Sequence, residues 1–157
     1  MEKIAINKSI HLSEHITLGE VTKTSHTEID NIPSHVAIEN LKRVCVWLEE
    51  LRARYNLKYV FTDEEPIIIT SGYRSPELNK KVGGSPTSNH LTGCAVDIRV
   101  AGIEQALRYA VILMDYADET RQDSDELLIE RNKGGGYWLH FAVRPKDNRR
   151  RTMIIQK

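Results

Sequence analysis

Three side chains in the second half of the chain could together bind a metal ion. His90 shortly precedes Asp97, and His140 lies within an apolar stretch near the C-terminal end. Two imidazoles and one carboxylate suit zinc, which in catalytic sites has three protein ligands and keeps a fourth position for water. The small residues Gly93 and Ala95 would let the backbone approach the metal closely. The spacing alone fits a metal site no better than it fits a His–Asp pair that occurs by chance and a His140 that is hydrogen-bonded within the core.

The remaining histidines and the two cysteines favour no second site. Surface or capping positions are expected for the histidines of the polar N-terminal part, which are His11, His15, His26 and His35. Two thiols are too few for a disulfide framework, so Cys45 and Cys94 are expected to be reduced and buried. A thiolate can bind zinc, but a core position that points away from the ligand face is the expectation for Cys94.

Capping signals and apolar periodicity predict the helices that support these residues. Thr17 and Glu20 have the spacing of a capping box, which predicts a short helix. Ser34 can cap a long helix that ends near residues 55–56, because apolar residues recur in it every three or four positions. The same periodicity at residues 103–114 predicts a second long helix.

The strands are predicted mainly after the first long helix. Segments rich in β-branched or alternating apolar residues occur at 59–61, 67–70, 95–100, 127–129, 137–143 and 153–155. Helices come first and strands dominate later, which favours an α+β fold with helices packed on a mainly antiparallel sheet. We expect a single domain over 1–157, with a helical part at about 12–56 and a metal-site part at about 57–145.

Composition excludes several classes of protein. The chain has 157 residues, with 22 Lys plus Arg and 22 Asp plus Glu. This balanced charge gives no electrostatic argument for a nucleic-acid or anionic-membrane partner. No apolar run approaches the ~20 residues of a membrane helix, and the start lacks the apolar core of a secretory signal. We expect a monomer made in the cytoplasm.

Residues 88–97 match the pattern S-x-H-x-x-G-x-A-x-D. They resemble the signature of the zinc D-Ala-D-Ala carboxypeptidase and murein endopeptidase family, of peptidase M15 type, which shares a fold with the hedgehog signalling domain. Residues 69–75 resemble the family's strand-turn segment with its functional arginine, and residues 138–140 resemble its last metal-ligand strand. Residues 12–17 and 79–84 are similar to a branch common in phages and mobile elements. The resemblance extends from about residue 12 to about residue 145.

This resemblance implies a metal centre and a substrate-binding arginine. His90, Asp97 and His140 would bind one zinc ion, which would activate a water for attack on a peptide carbonyl. Arg74 would hold the substrate and stabilise the tetrahedral intermediate. A guanidinium is permanently charged and can bind an oxyanion or a carboxylate with two parallel bonds. The alternative for Arg74 is a structural arginine that caps the turn at residues 71–72.

Four further residues are assigned by their position near this centre. Ser71 is expected to contact substrate or to form the turn, and Ser88 is expected to orient a metal ligand. Tyr137 and Trp138 are expected to contact substrate at the wall of the cleft. Packing is the favoured alternative for Tyr137, and core packing is equally acceptable for Trp138.

The catalytic base is where the chain departs from the family's pattern. Some relatives have an acid where this chain has Tyr137, and others have a histidine where it has Trp138. The nearest carboxylates belong to Asp125, Glu126 and Glu130. If residues 132–136 form a hairpin turn, Glu130 lies almost opposite Trp138 and shares a sheet face with His140. We therefore expect Glu130 to be the base; the alternative is a hairpin-end carboxylate paired with a neighbouring Arg131 or Lys133.

Two functions follow from the resemblance. The first is a zinc peptidase of the cell wall or periplasm that hydrolyses peptidoglycan stem or cross-link peptides next to D-amino acids. It would act as a D,D-carboxypeptidase or as an endopeptidase of endolysin type. The second is a catalytically inactive zinc-containing module that binds cell-wall peptides. The basic run at residues 149–151 could meet anionic wall polymers, but a solvated tail is favoured.

Overall fold

The computed structural model describes residues 6–157, which form helices packed on one five-stranded sheet. The α-helices are α1 (Leu18–Thr22), α2 (His35–Tyr59), α3 (Pro76–Lys81) and α4 (Ile103–Thr120), and a 3-10 helix covers Asn89–Thr92. The strands are β1 (Ile69–Ser71), β2 (Ala95–Arg99), β3 (Glu126–Arg131), β4 (Tyr137–Ala142) and β5 (Arg151–Gln156). The predicted α+β fold is confirmed.

The sheet has the strand order β1-β2-β4-β3-β5. Every neighbouring pair of these strands is antiparallel except β3 and β5, which run parallel. At the centre of the sheet, Asp97 of β2 lies opposite His140 of β4, and His140 lies opposite Leu128 of β3. Residues that lie opposite one another share a sheet face, so Asp97 and His140 are presented on the same side.

The other side of the sheet forms the core with α2 and α4. Val96, Ile98, Leu139 and Phe141 are fully buried there. The indole of Trp47 in α2 lies between two rings, with centroids 4.9 Å from Tyr116 of α4 and 5.4 Å from Phe141 of β4. Buried aromatic contacts of this kind add to the area buried, and they hold both long helices against the strands.

The long helix α2 begins as predicted but ends later, and the strand expected at residues 59–61 is wrong. Ser34 caps the helix by accepting from the backbone N–H of Ala37, and the helix continues to Tyr59. The Tyr59 ring packs on Tyr55 one turn earlier, with centroids 5.3 Å apart. Pairs at this spacing stabilise a helix, whereas three residues with no partner strand cannot form a ladder. Phe61 is 90% exposed.

The segment 67–70, where a strand is expected, forms one only in part. Strand β1 covers Ile69–Ser71, so Ile67 lies outside it although it is buried in the core. β1 is an edge strand with an irregular register against β2. The hairpin loop, the strands on either side of it and the C-terminal strand form as predicted. No helix within residues 6–157 is long and apolar enough to cross a membrane.

Gly93 ends the 3-10 helix in a left-handed conformation, with φ of 76°. A Cβ at this position would lie 2.5 Å from the carbonyl oxygen of Ala37 in α2. The lack of a side chain at Gly93 therefore serves the contact with α2, and the expectation that it serves close approach to a metal is corrected.

We expect Gly93→Ala to lower the free energy of unfolding by about 2–3 kcal/mol, because both the backbone conformation and the contact become strained. Urea denaturation in the presence of a chelator measures the change. Gly134→Ala is the matched control, because its Cβ would meet only Asn132 Oδ1 at 3.4 Å. Equal stability of the two variants would contradict this explanation of Gly93.

Candidate metal centre

The 3-10 helix positions His90 with one ring nitrogen already in use. Ser88 caps this helix, and its Oγ accepts from the backbone N–H of His90 at 3.2 Å. The Nδ1 of His90 lies 2.7 Å from the carbonyl oxygen of Gly72. A carbonyl can only accept, so Nδ1 carries the proton and Nε2 is left as a metal donor. That Nε2 faces Asp97 Oδ1 at 3.4 Å.

Gly72 can orient His90 because α1 packs closely against Gly72 and holds its carbonyl group in place. The backbone N–H of Tyr73 donates to the carbonyl oxygen of Val21 in α1 at 2.7 Å. A Cβ on Gly72 would lie 2.3 Å from that same oxygen. A residue with a side chain would push the Gly72 carbonyl away from His90, so this glycine links the N-terminal helix to the centre.

Asp97 brings the two histidines together through a single oxygen. Its Oδ1 lies 3.0 Å from Nδ1 of His140 and 3.4 Å from Nε2 of His90. Its Oδ2 lies 3.3 Å from NH2 of Arg74. One ligand atom from each of His90, Asp97 and His140 lies within 4.8 Å of the others. The sequence-predicted ligand set is therefore assembled in one place.

The charges at the centre are strongly coupled. Burial disfavours ionisation of Asp97, but hydrogen bonds from His140 and His90 outweigh it and hold the pKa of this carboxyl well below its usual range. Burial lowers the pKa of His140, but hydrogen bonds to Asp97 and Glu126 raise it to about 9. With both nitrogens protonated, His140 donates to both carboxylates. A cation can replace the proton on Nδ1, which is the exchange that metal binding requires.

Arg74 lies beside this centre and is held by three side chains. Its Nε donates to Ser71 Oγ at 3.2 Å, its NH1 donates to Asn79 Oδ1 at 3.4 Å, and its NH2 reaches Asp97. A Cβ on Gly84 would lie 2.1 Å from Asn79 Oδ1, so the loop after α3 has no room for a side chain there. Arg74 is both ordered by the turn and directed at the metal centre, which is compatible with the structural and the substrate-binding interpretation.

A cavity of about 480 Å³ opens over this face of the sheet. The three candidate ligands and Arg74 line it, together with Ser88, Glu126, Glu130 and Trp138. Its wall also carries basic side chains from the C-terminal part of the chain, which are Arg144, Arg149, Arg151 and Lys157. The cavity is therefore large enough for a peptide segment and is lined by several cationic groups.

Two of the residues assigned to substrate binding lie elsewhere. Tyr137 shares the face of β4 that carries Leu139 and packs against the core, so it points away from His140 and does not line the cavity. The alternation of side chains along a strand requires this, because Tyr137 is an odd number of residues from His140. Ser71 does not line the cavity either; its hydroxyl holds Arg74 instead.

The expected base, Glu130, lies where the hairpin argument places it. It pairs with Trp138 across β3 and β4 and is 7% exposed. Its Oε1 lies 3.4 Å from Lys157 Nζ, whereas the alternative to the base assignment had named Arg131 or Lys133 as the partner. Apart from Asp97, the carboxylate in contact with His140 is that of Glu126, whose Oε1 lies 3.2 Å from Nε2 of this ring.

A second group with metal-binding side chains contains Glu14, His15 and Glu49. It is largely exposed, and His15 Nδ1 lies 2.8 Å from Glu49. The guanidinium of Arg52 lies 3.0 Å from the other nitrogen of His15. A cation would have to compete with this arginine, so the group is better explained as a surface ion-pair network.

Asp125 is a fully buried carboxylate whose structural role the sequence did not indicate. It accepts from Asn89 Nδ2 at 2.7 Å and from Arg149 Nε and NH2 at 3.1 and 2.8 Å. The guanidinium Nε of Arg144 lies 3.2 Å away. Burial favours the neutral acid, but the hydrogen bonds from Arg149 and Asn89 outweigh it and hold the pKa of Asp125 well below its usual range. Asp125 thus ties the C-terminal segment to the residue that precedes His90.

We expect Asp125→Asn to lower the free energy of unfolding by about 2–3 kcal/mol at pH 7, because charge-assisted hydrogen bonds are lost. A carboxyl whose folded pKa is depressed stabilises the fold above its unfolded pKa of ~3.9 and loses that contribution as pH falls further. The difference between wild type and variant should therefore shrink below pH ~4. Denaturation curves at pH 7 and pH 3 test this; a difference that does not change with pH would contradict it.

Comparison with known proteins agrees with the geometry. A family model described as peptidase M15 matches residues 14–114, which is more than half of the chain. The matched part contains Arg74, His90 and Asp97 and ends before β3 and β4, so His140 is assigned by its position beside Asp97. A search of curated proteins found no match. The chain belongs to the peptidase M15 family of metallopeptidases.

Proposed function

We propose that this protein is a zinc peptidase that hydrolyses peptide bonds next to D-amino acids in peptidoglycan. The observation that carries the proposal is the convergence of His90 Nε2, Asp97 Oδ1 and His140 Nδ1 beside an open cavity. Two imidazole nitrogens and one carboxylate oxygen are a donor set that zinc accepts in catalytic sites. When bound, zinc would supply a Lewis acid for the scissile carbonyl and lower the pKa of a water to ~7.

Three residues around this centre would bind the substrate and transfer the proton. Arg74 would bind a substrate carboxylate or the oxygen that becomes negative in the transition state, since its guanidinium already points at Asp97. Glu130 would take the proton from the attacking water and pass it to the leaving amine. Trp138 would form part of the wall against which the peptide packs.

The charge of the cavity supports an acidic peptide as substrate. Arg74, Arg144, Arg149 and Arg151 line the cavity, although Arg144 and Arg149 are paired with Asp125 and Arg151 is paired with Glu126. Peptidoglycan stem peptides carry free carboxylates, which such groups bind well. Both a carboxypeptidase, which needs the terminal carboxylate, and an endopeptidase are compatible with this arrangement.

The second candidate is a binding module with no catalysis. It is favoured by one observation: Glu126, which contacts His140, is also bound by Asn89 and Arg151. The carboxylate of Glu130 forms an ion pair with Lys157. If neither acid can accept a proton from water, the site would hold a peptide without cutting it.

Mass spectrometry of peptidoglycan incubated with zinc-loaded protein distinguishes the two candidates. A chelator-treated sample and a His140→Ala variant are the controls. We expect fragments that appear only with the metal-loaded wild type, and their masses identify the bond that is cut. Intact peptidoglycan of several chemistries, with one zinc still bound per chain, would contradict the peptidase and favour the binding module.

We expect Glu130→Gln to lower kcat by at least ~100-fold, because a general base contributes that much or more. Zinc content should stay at one ion per chain, since Glu130 is not among the side chains that converge on the site. Glu104→Gln is the matched control, an exposed carboxylate on α4. A fully active Glu130→Gln protein would overturn the assignment of the base.

A further inference from the structure

Glu126 lies behind His140, on the side of the ring that faces away from Asp97. Its Oε1 is 3.2 Å from Nε2 of His140, while Nδ1 of the same ring is 3.0 Å from Asp97 Oδ1. The two nitrogens of an imidazole point in divergent directions. Because Nδ1 of His140 faces Asp97, its Nε2–H points in the opposite direction. The carboxylate of Glu126 lies there.

Glu126 is not placed to be a ligand of the same ion. Among the described residues, the metal-binding atoms that lie within 4.8 Å of one another at this site come from His90, Asp97 and His140, and Glu126 is not among them. Asn89 and Arg151 donate to its two oxygens, so the carboxylate acts as an acceptor. Its contact with His140 is therefore that of an acceptor for Nε2–H.

The carboxylate of Glu126 is itself fixed from both sides. Asn89 Nδ2 donates to Oε1 at 2.7 Å, and Arg151 NH1 donates to Oε2 at 3.2 Å. The side chain is 13% exposed. Asn89 is next to His90 in the chain, and Arg151 begins strand β5, so this acceptor is held by two separate elements and cannot turn away freely.

We propose that Glu126 is a positioning residue that fixes His140 in the tautomer whose Nδ1 donates to the metal. The proposal rests on the metal centre proposed above. His90 has the complementary arrangement, in which Gly72 accepts from Nδ1 and Nε2 is the donor. Acceptors behind a metal-bound histidine set its tautomer and orientation and raise its basicity. Glu126 and the Gly72 carbonyl thus perform the same task on two histidines that use opposite nitrogens.

The test is the dissociation constant of zinc, measured by competition with a chromophoric chelator at one pH. We expect Glu126→Leu to bind zinc ~10–100-fold more weakly than wild type, the loss typical when such an acceptor is removed. Glu126→Gln keeps an oxygen that can accept from Nε2–H, and its affinity should stay within a few-fold of wild type. Glu104→Leu, which removes a remote exposed carboxylate, should bind as wild type does.

If the leucine variant does not fold, the comparison of wild type with Glu126→Gln still tests the proposal. The expected second readout is the coordination mode of His140 in long-range ¹⁵N–¹H spectra of zinc-loaded protein. We expect Nδ1 to carry the metal and Nε2 the proton in wild type and Glu126→Gln. Coordination through Nε2 in wild type, or equal zinc affinity of wild type and Glu126→Leu, would overturn the proposal for Glu126 alone. Failure of wild type to bind zinc would overturn the proposed function as well.

Discussion

The pairing of β2 with β4 is the constraint on which the site depends. It sets Asp97 opposite His140, and a slip of one residue would turn one of them toward the helices. The register is maintained because the same strands bury Val96, Ile98, Leu139 and Phe141 against α2 and α4 on the other face. Burial of apolar side chains on one face thus determines which polar side chains meet on the other.

The polar face is stable because its charges are paired across elements. Asp97 is enclosed by two histidines and Arg74. Asp125 is enclosed by arginines from the segment that leads into β5. A buried carboxylate without such partners would cost several kcal/mol. The same pairing gives the site its order before a metal arrives, since the donor atoms of His90 and His140 are selected by Gly72 and, as we propose, by Glu126.

Local patterns predicted the parts of this site that depend on strand alternation and hairpin length. The spacing of the hairpin loop was enough to place Glu130 opposite Trp138. The contact of Glu126 with His140 was not predictable, because it depends on side-chain reach across two strands and on anchoring by Asn89 and Arg151. Residues 59–61 have strand propensity, but the contact of the Tyr59 ring with Tyr55 one turn earlier favours continuation of α2 to Tyr59. Gly93 was misinterpreted because its neighbour, α2, is distant in sequence.

The claim that His90, Asp97 and His140 form one zinc site is tested most directly by zinc K-edge X-ray absorption of the loaded protein. We expect one zinc per chain with nitrogen and oxygen neighbours at ~2.0–2.2 Å, scattering from two imidazoles, and no sulfur at ~2.3 Å. The two cysteines are buried and free, so they should not contribute. A sulfur neighbour, a different number of imidazoles, or no tightly bound zinc would show that these three side chains do not form the zinc site.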